Sequence, residues 1–457
     1  MLLRQRESTD VADRLARSAS VTYDGALTPN ADIPGWLEQR ADANSFSVDP
    51  VPLCDLTEWS LGPQGNLVHR SGRFFSIEGL HIVASEGPFG EWQQPIIVQP
   101  EIGILGILVK EFDGVPHFLM QAKMEPGNCN LVQLSPTVQA TRSNYTAVHK
   151  GARVKYLDYF TGHRPSRILV DVLQSEHGAW FFHKANRNMI VETDEDVPLD
   201  PDFRWLTLGQ IGRLLLMDNV VNMDSRTVLA CAPLQRYEPD AVLSDTDLVS
   251  WFTAEQSRHD VRSRLIPLTD VSGWTISDRH IEHEQGRYFR VIAVRARATN
   301  REVSSWEQPL LEPLGSPVAA FLMRRFHGVL HLLVHARVEG GLLRTVELAP
   351  TVQCTPEFHH HLPAHSRPRF VDAVLNAPRA AIRYSAVQSE EGGRFFHPES
   401  RYLLVEATEE TAPSTPPTGF QWVTLGQLNS LVRHSHYVNV QTRTLLSVFN
   451  SGAVDLW

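Results

Sequence analysis

The stretch QSEHGAWFFHKANRNMIVE (174–192) returns later in the chain as QSEEGGRFFHPESRYLLVE (388–406), and this repetition decides how the protein is organised. Ten of the nineteen positions are identical at a constant shift of 214 residues. A constant shift over this length indicates an internal duplication rather than a short motif used twice. We therefore expect two copies of one folded unit.

The duplication extends over most of the chain. The same shift aligns PTVQ at 136–139 with PTVQ at 350–353, and a shift of 217 aligns TLGQ at 207–210 with TLGQ at 424–427. The three additional residues fall in TAPSTPPTGF (411–420), whose Pro and Thr content predicts a longer surface loop.

The 457 residues, 42% hydrophobic and 21% charged, are typical of a globular protein with more than one core. The predicted segments are an N-terminal helical extension (1–32), a first repeat (33–231), a linker (232–247) and a second repeat (248–457).

Hydrophobic patterns within a repeat are mixed. Short runs rich in β-branched residues and bounded by Gly, Pro or Asn predict strands at 102–109, 117–122, 132–134, 168–174 and 189–193. Helical spacing and capping residues predict helices at 9–18, 207–217, 246–257 and 424–433. The residues Phe181, Phe182 and His183 are expected to begin a further strand. Sheets with few helices predict an α+β fold in each repeat.

Charge and composition narrow the class of function. Lys and Arg number 42 against 52 Asp and Glu, a formal charge of −10. Without a block rich in Lys and Arg, such a chain is a poor candidate to bind nucleic acid or an anionic membrane. No apolar run approaches the roughly 18 residues of a membrane helix, and the charged start of the chain does not resemble a signal peptide. The four cysteines are widely spaced, which is typical of reduced, mostly buried thiols in the cytoplasm.

Polar side chains inside the repeated blocks are the candidates for chemistry. Gln121, Lys123 and Glu125 alternate along a predicted strand, and alternate residues of a strand share a face. An amide, a cation and a carboxylate on one face can bind a polar ligand and transfer protons. The alternative is a solvated strand edge with a salt bridge, and spacing alone does not distinguish the two.

Glu176, His183 and His397 are candidate acid–base groups, because carboxylates and imidazoles exchange protons readily. Alternatively, Glu176 is a solvated acid at a turn, and the two histidines are core or edge residues.

Four tryptophans recur between the copies, Trp59 with Trp274 and Trp92 with Trp306. An indole ring can stack on a base or a sugar. Aromatic residues of a repeat are more often core residues, so both interpretations stay open.

No metal or cofactor is expected. The histidines at 359–361 and 365 are not repeated in the first copy, and none has a ligand spacing such as His-Glu-x-x-His. The chain also lacks the glycine-rich dinucleotide fingerprint, a Walker A motif and Gly-x-Ser-x-Gly. The sequence therefore lacks the motifs typical of nicotinamide-dependent enzymes, of ATP-driven enzymes and of serine esterases.

The block QAKMEPGNCNLVQLSPTVQATRSNYT (121–146), the two stretches quoted first and ELAPTVQCT (347–355) together closely resemble the NDP-hexose 2,3-dehydratases. The resemblance covers nearly the whole chain. It implies a homodimer whose chains each hold two Nudix-like domains, and a substrate of the dTDP-4-keto-6-deoxy-D-glucose type. The expected fold is thus α+β, a tandem duplication of two Nudix-like domains with mixed sheets flanked by helices.

The carboxylate-rich Nudix box that would hold Mg²⁺ is missing, and Arg301-Glu302 is its nearest fragment. This absence fits a fold that binds a sugar diphosphate without cleaving it.

The resemblance also implies the reaction. The C3 hydrogen of such a sugar lies next to the C4 ketone, so a base can remove it if the C4 enolate is stabilised. The C2 hydroxyl group then leaves with help from an acid, and the enol becomes a 3,4-diketo-2,6-dideoxy sugar. No redox cofactor is required, because oxidation at C3 is balanced by loss of the C2 hydroxyl group. The diketone is expected to be unstable, so an NADPH-dependent 3-ketoreductase is the expected partner.

The first copy is expected to hold the catalytic pocket, because the second copy loses the proline of Glu125-Pro126-Gly127 and the phenol of Tyr145. In this interpretation Lys123 stabilises the C4 oxyanion, and Glu176, Tyr145 or His183 transfers protons.

The resemblance also suggests residues that bind the substrate. The diphosphate is expected at Gln139, Arg142 and Asn144, and thymine is expected to stack on Trp59 or Trp92. The other binding candidates of the first copy are Gln121, Glu125, Gln133, Thr137, Gln174 and Ser175. The candidates for a second pocket are Trp274, Trp306, Arg337, Glu339, Thr351, Gln353, Gln388, Ser389, Glu390, Arg394 and His397.

Two other classes of protein compete with this interpretation. A sugar-nucleotide-binding protein without catalytic activity would bind the nucleotide and release no water. A protein-interaction scaffold built from the same two domains would not be stabilised by nucleotide at all.

Overall fold

The computed structural model describes residues 9–23, 25–85, 90–141, 154–234, 240–299, 304–359, 362–363 and 366–454. The strands of the first repeat are β1 (Phe46–Val51), β2 (Trp59–Leu61), β3 (Leu67–His69), β4 (Ser76–Ala84), β5 (Glu91–Val98), β6 (Ile104–Phe112), β7 (Val115–Met124), β8 (Val132–Ser135), β9 (Val138–Ala140), β10 (Arg167–Ser175), β11 (Ala185–Glu192) and β12 (Phe203–Thr207).

The second repeat follows with the same order of strands. They are β13 (Val261–Ile266), β14 (Trp274–Ile276), β15 (Ile281–His283), β16 (Phe289–Ala298), β17 (Ser305–Pro313), β18 (Val318–Phe326), β19 (Val329–Val338), β20 (Val346–Ala349), β21 (Val352–Cys354), β22 (Ile382–Ser389), β23 (Glu399–Glu406) and β24 (Phe420–Thr424).

The helices flank the sheets. They are α1 (Thr9–Ser20), α2 (Asp32–Ala43), α3 (Leu208–Leu214), α4 (Met223–Ala230), α5 (Asp245–Arg258), α6 (Val371–Leu375), α7 (Leu425–Leu431) and α8 (Val440–Asn450).

Each repeat builds one large mixed sheet. In the first repeat the order is β10-β11-β6-β7-β12, with β8 beside β7 and β9 beside β6. The pair β6/β11 is parallel and its neighbours are antiparallel. The second repeat has the equivalent order β22-β23-β18-β19-β24. The predicted α+β class and the two repeated halves are therefore confirmed.

The two smaller sheets exchange a strand between the repeats. β1 of the first repeat pairs with β16 of the second, with Val48 opposite Ala296. Reciprocally, β13 of the second repeat pairs with β4 of the first, with Ser263 opposite Ile82. Neither repeat therefore completes its own small sheet, although the sequence runs through the repeats one after the other.

The predicted strands and helices are present, with ends that shift by a few residues. Helix α3 begins with a capping box, in which the Thr207 hydroxyl group accepts a hydrogen bond from the Gln210 backbone and the Gln210 side chain accepts one from the Thr207 backbone. Thr424 and Gln427 form the same box at the start of α7.

The prediction of a strand that begins at Phe181 is wrong. Phe181 makes only an isolated bridge to Ile97, His183 has a φ of 50°, and β11 starts at Ala185. The tertiary structure overrides the β propensity of the aromatic pair, because the His183 backbone N–H donates to the Gly341 carbonyl of the second repeat at 2.7 Å.

One hydrophobic core runs through both repeats. Helix α4 packs against α8, and Leu134, Val228, Leu348 and Leu446 all lie fully buried in the same cluster. The two repeats therefore pack against each other through a shared hydrophobic core. This packing brings together the polar groups described next.

The four cysteines are free thiols, but the prediction that most of them are buried is wrong, because only Cys231 is buried while Cys54 is exposed and Cys129 and Cys354 are partly exposed. Within the described ranges, none of the helices combines the length and the apolar character needed to cross a membrane.

Candidate active site

The turn that follows β7 presses against a loop of the second repeat. The Gly127 N–H donates to the Gly392 carbonyl at 2.7 Å, and the His397 N–H donates to the Gly127 carbonyl at 2.8 Å. A Cβ atom on Gly127 would lie only 1.6 Å from the Phe395 carbonyl oxygen. Glycine is therefore required, and the loop between β22 and β23 is brought to the end of β7.

The equivalent contact exists on the other side of the pseudo-two-fold axis. The Gly341 N–H donates to the Gly178 carbonyl at 2.8 Å, and a Cβ atom on Gly341 would lie 2.1 Å from the Phe181 carbonyl oxygen. Two polar clusters result. The first cluster consists of Lys123, Glu125, Gln139, Glu176, Lys184, Asp224, Glu391 and Arg394. The second cluster consists of His177, Arg337, Glu339, Gln353 and Glu390.

Lys123 is held by hydrogen bonds at the centre of the first cluster. Its Nζ lies 3.1 Å from Glu125 Oε1 and donates to Gln139 Oε1. The Gln139 amide nitrogen donates to Glu125 Oε1 at 3.1 Å and also to the Asp224 carboxylate. Glu125 and Asp224 are buried, whereas Lys123 and Gln139 are partly exposed. The ammonium group is thus fixed in position at the boundary with solvent.

Two further carboxylates of the first cluster have an oxygen without a hydrogen-bond partner. Glu176 Oε1 accepts from the Asn186 amide at 2.7 Å, and Glu391 Oε1 accepts from the Gly393 N–H at 2.9 Å. The Oε2 atoms of both glutamates are buried without a hydrogen-bond partner. A buried acceptor without a partner is unfavourable, which marks these two carboxylates as candidates for binding a ligand or a proton.

Burial shifts the proton affinities of the first cluster. It raises the pKa of Asp224 well above its ordinary value, and the charges of Glu176 and Glu125 raise this pKa further. Burial also raises the pKa of Glu391 to about 7, assisted by Glu125 and opposed by Arg394.

The pKa values of the cations Lys184 and Arg394 are lowered, again chiefly by burial. Acids and bases with separated pKa values in one buried place are typical of catalytic sites.

The second cluster is paired mostly internally, although His177 Nδ1 also lies 3.9 Å from Glu176 Oε2 of the first cluster. Arg337 Nε donates to Glu339 Oε1 at 3.0 Å, and the Gln353 amide donates to the same oxygen at 2.8 Å. His177 Nε2 lies 3.1 Å from Glu390 Oε2.

Burial lowers the pKa of His177, but the hydrogen bond and charge of Glu390 outweigh it, so the net shift is upward. Burial raises the pKa of Glu390, yet its bond to His177 leaves the net shift downward. These two groups are therefore a neutralised ion pair.

The sequence model of the family described as NDP-hexose 2,3-dehydratase matches the chain twice, at 30–232 and at 245–449. The chain belongs to the NDP-hexose 2,3-dehydratase family. The double match confirms the tandem duplication, and the family makes the protein an enzyme.

Three relatives of this dehydratase-family chain carry the same name, dTDP-4-dehydro-6-deoxy-alpha-D-glucopyranose 2,3-dehydratase. The relative from Amycolatopsis orientalis is 59% identical over 99% of this chain and 97% of its own length. Those from Saccharopolyspora spinosa and Streptomyces violaceoruber are each 47% identical, over 96% and 92% of this chain and 94% and 97% of their own lengths. The similarity therefore covers both repeats.

Several residues proposed from the sequence of this dehydratase lie at the junction of the repeats instead of at a cluster surface. The Gln174 amide donates to the Val432 carbonyl at 2.5 Å, and Gln388 donates to Leu215 at 3.0 Å.

The serines that follow them also cross the junction. Ser175 Oγ donates to Glu347 Oε2 at 2.6 Å, and Ser389 Oγ donates to Gln133 Oε1 at 2.8 Å. All four of these side chains are fully buried and join one repeat to the other.

Thr137 and Thr351 bridge strands inside the large sheets. The Thr137 hydroxyl group accepts from the Leu108 N–H at 2.8 Å and donates to the Leu119 carbonyl. Thr351 makes the equivalent pair of bonds in the second repeat. Their geometry is that of structural hydroxyl groups.

The tryptophans also have structural partners. Trp59 Nε1 donates to the Glu307 carbonyl at 2.9 Å and Trp274 Nε1 donates to the Gln93 carbonyl at 3.1 Å, so each crosses to the other repeat.

Trp92 and Trp306 donate instead to Gln94 and Gln308. The amides of these glutamines hold the loops at Ala179 and Gly393, at 2.6 and 2.7 Å. Trp92 lies opposite Ile82, whose side chain faces Gly340, so this indole is close to the second cluster.

The remaining described candidates are exposed or half-buried. His183 and His397 are exposed and stack on the preceding phenylalanines. Gln121 is half-buried on β7, opposite Phe203 and Ser135. The candidates Arg142, Asn144 and Tyr145 lie outside the described residues.

The sequence analysis did not single out Lys184, Asp224 or Glu391, and it assigned Arg394 to the second pocket. A usable signal was present in the differences between the copies. Asp224 aligns with Gln441, Glu391 with His177, and Lys184 with Pro398. Ionisable residues that only one copy keeps are candidates for a function that only one copy performs. Among the described residues, no three His, Cys, Asp or Glu side chains are grouped closely enough to hold a metal ion.

Proposed function

We propose that this protein is a carbon–oxygen lyase that removes the C2 hydroxyl group from dTDP-4-keto-6-deoxy-D-glucose. The observation that carries the proposal is Lys123, an ammonium group held by Glu125 and Gln139 in the same cluster as Glu176 and Glu391, whose Oε2 atoms have no hydrogen-bond partner. The three named relatives, similar over both repeats, support the choice of substrate.

Lys123 would stabilise the developing enolate. Removing the C3 proton places negative charge on the C4 oxygen, and a fixed cation in a partly buried site stabilises that charge more strongly than water does. Because Lys123 is already held by Glu125 and Gln139, little reorganisation is needed when the charge develops.

Glu176 would be the base that takes the C3 proton. Its Oε2 atom is buried without a hydrogen-bond partner, while Asn186 holds the other oxygen and fixes the carboxylate plane. Of the proton-transfer candidates named from the sequence, His183 is exposed at the turn of Gly341, which favours Glu176.

The first cluster is favoured over the second as the catalytic site. In the second cluster Gln441 replaces the acid of Asp224, and Pro398 replaces the cation of Lys184. His177 and Glu390 of this cluster neutralise each other at 3.1 Å, and Glu339 is paired with Arg337 at 3.0 Å. A paired, buried ion pair is a poor source of a base.

The family resemblance adds further parts to the proposal. Each repeat would have a Nudix-like fold, the enzyme would act in the cytoplasm as a homodimer, and an NADPH-dependent 3-ketoreductase would consume the product. A reductase is required because a 1,2-diketone with acidic hydrogens decomposes readily in water.

The test is mass spectrometry of the sugar nucleotide after incubation with purified protein and no added nicotinamide, with a trapping reductant in a parallel reaction. Loss of one water from the sugar supports the lyase. Intact substrate together with thermal stabilisation by dTDP would indicate a binding protein, and intact substrate without stabilisation would indicate a scaffold. The Lys123→Ala variant, purified in the same way, controls for contaminating activity.

A further inference from the structure

The first cluster contains residues from both repeats. Lys123, Glu125 and Glu176 belong to the first repeat, whereas Glu391 and Arg394 reach it from the loop that follows β22. The contact between Gly127 and Gly392 fixes this loop against the turn that carries Glu125, because the two backbones are joined at 2.7 Å. The second repeat therefore contributes charged groups to the site of the first.

The surroundings of Glu391 favour its protonated form. The charges that act on it are those of Glu125, Glu176 and Arg394, and it acts in turn on Asp224 and Lys184. Carboxylates outnumber cations in this group, and burial penalises another negative charge. Its pKa of about 7 leaves a proton available at neutral pH.

Glu391 is a better donor to a substrate than Asp224. Asp224 is buried at the start of α4 and already accepts a hydrogen bond from the Gln139 amide. Glu391 is only partly buried, and its Oε2 atom has no hydrogen-bond partner. A carboxyl group that still holds a proton in part of the molecules at neutral pH, on a partly exposed residue with one oxygen that has no hydrogen-bond partner, has the features required of a general acid.

The alignment of the repeats points the same way. The position of Glu391 is occupied in the first repeat by His177, which is fully buried and is engaged by Glu390. The two equivalent loops have thus diverged. The loop of the first repeat carries His177, which forms a buried ion pair, and the loop of the second repeat carries Glu391, which interacts with carboxylates of the first repeat.

We propose that Glu391 is the general acid that protonates the departing C2 hydroxyl group, so that the active site is assembled from both repeats. This inference rests on the proposed dehydratase function. Glu176 takes the C3 proton, the enolate electrons re-form the C4 carbonyl and the C2–C3 double bond, and the C2–O bond breaks. The hydroxyl group leaves as water with the Glu391 proton. Ketonisation then moves the Glu176 proton to C2 and returns the enol proton to Glu391.

The test compares Glu391→Gln with the wild-type enzyme in deuterated water. The variant keeps Lys123 and Glu176, so it is expected to exchange the C3 hydrogen of the substrate for deuterium. Dehydration is expected to fall by about 100-fold or more in kcat, the usual range for losing a general acid, with little change in KM. Glu410→Gln, at an exposed acid, is the matched control and is expected to dehydrate as the wild type does.

A second substrate separates an acid from a structural residue. Fluoride leaves with less need of a proton than hydroxide does, so the 2-deoxy-2-fluoro analogue is expected to narrow the gap between Glu391→Gln and wild type. A misfolded variant would be equally slow on both substrates, and Glu391→Asp, which keeps a carboxylic acid, is expected to recover part of the activity.

Two outcomes overturn the inference. One is dehydration by Glu391→Gln at close to the wild-type rate. The other is loss of C3 exchange together with dehydration and no gain on the fluoro analogue. If the wild-type protein itself releases no water, the proposed function fails, and this result is recognised before any variant is made.

Discussion

Arg226 and Arg443 occupy equivalent positions in the two repeats, and each guanidinium group binds a backbone carbonyl of the opposite repeat. Arg226 donates to the Ser389 carbonyl and Arg443 donates to the Ser175 carbonyl. Both arginines are fully buried. Because Ser175 precedes Glu176 in the chain, Arg443 positions the strand end that carries the proposed base.

Replacing Arg443 by Met is expected to destabilise the protein strongly. The change leaves the Ser175 and Val438 carbonyls without the Arg443 donor inside the core, and the Thr227 hydroxyl group keeps only its hydrogen bond from Asn188. Leaving a buried acceptor without its donor typically costs about 1–3 kcal/mol for each group. Urea denaturation measures the loss, and a decrease in the free energy of unfolding below about 1 kcal/mol would contradict this account of the junction.

Lys123→Ala is expected to lower kcat by about 100- to 1000-fold, the effect of removing one group that stabilises an oxyanion. The equivalent change in the second cluster, Arg337→Ala, is expected to lower it by less than tenfold. Steady-state kinetics of the two variants measures the difference. Equal losses at both positions would show that the clusters share the catalytic work.

Gly127→Ala and Gly341→Ala form a matched pair. Each introduces a Cβ atom within about 2 Å of a carbonyl oxygen of the other repeat, so both are expected to lower the melting temperature by similar amounts. Gly127→Ala displaces the loop that carries Glu391, and Gly341→Ala displaces the loop between Glu176 and Lys184, so both variants are expected to lose activity at temperatures where they are folded. Activity close to that of the wild type in folded Gly127→Ala would contradict the composite site.

Glu391→Gln is expected to be more stable than the wild type at alkaline pH. In the folded protein the pKa of Glu391 is raised from 4.5 to about 7, so between these values the folded state holds a proton that the unfolded state has released. The free energy of unfolding therefore falls as pH rises through this range, and a glutamine removes that loss. Urea denaturation at about pH 5 and about pH 8 is expected to show a larger advantage for the variant at the higher pH. An advantage that is the same at both values would mean that the carboxyl group is not destabilised by its surroundings.

The exchange of β1 and β13 predicts that the two repeats unfold together. Each small sheet needs a strand from the other repeat, so neither repeat can lose its structure alone. Tryptophan fluorescence and far-ultraviolet circular dichroism are expected to report one coincident transition in urea. Two separated transitions would contradict this coupling.

Local rules explain the features that the sequence predicted well. The Thr207 and Gln210 capping box is formed by residues three apart, and Lys123 and Glu125 meet because they lie two apart at the end of one strand. The duplication is equally visible, because identity at a constant shift needs no knowledge of contacts. The runs of β-branched residues that predicted β6, β7 and β10 likewise depend only on neighbouring residues.

The first cluster depends on contacts that no local rule contains. Asp224 and Glu391 join Glu125 across long separations in the chain, and they do so because the shared core of α4 and α8 holds the repeats face to face. The prediction that a strand begins at Phe181 was wrong because the backbone N–H of His183 donates to a carbonyl of the other repeat.

The sequence by itself determined that the chain is duplicated, that each copy is α+β, and that the polar blocks are the places to look for chemistry. Only the tertiary structure decided that β1 and β13 each complete the small sheet of the other repeat, and which acids share one buried site. The physical reason is that an alternating strand satisfies either sheet equally well, whereas burial and charge around Glu391 exist only once both repeats are packed together.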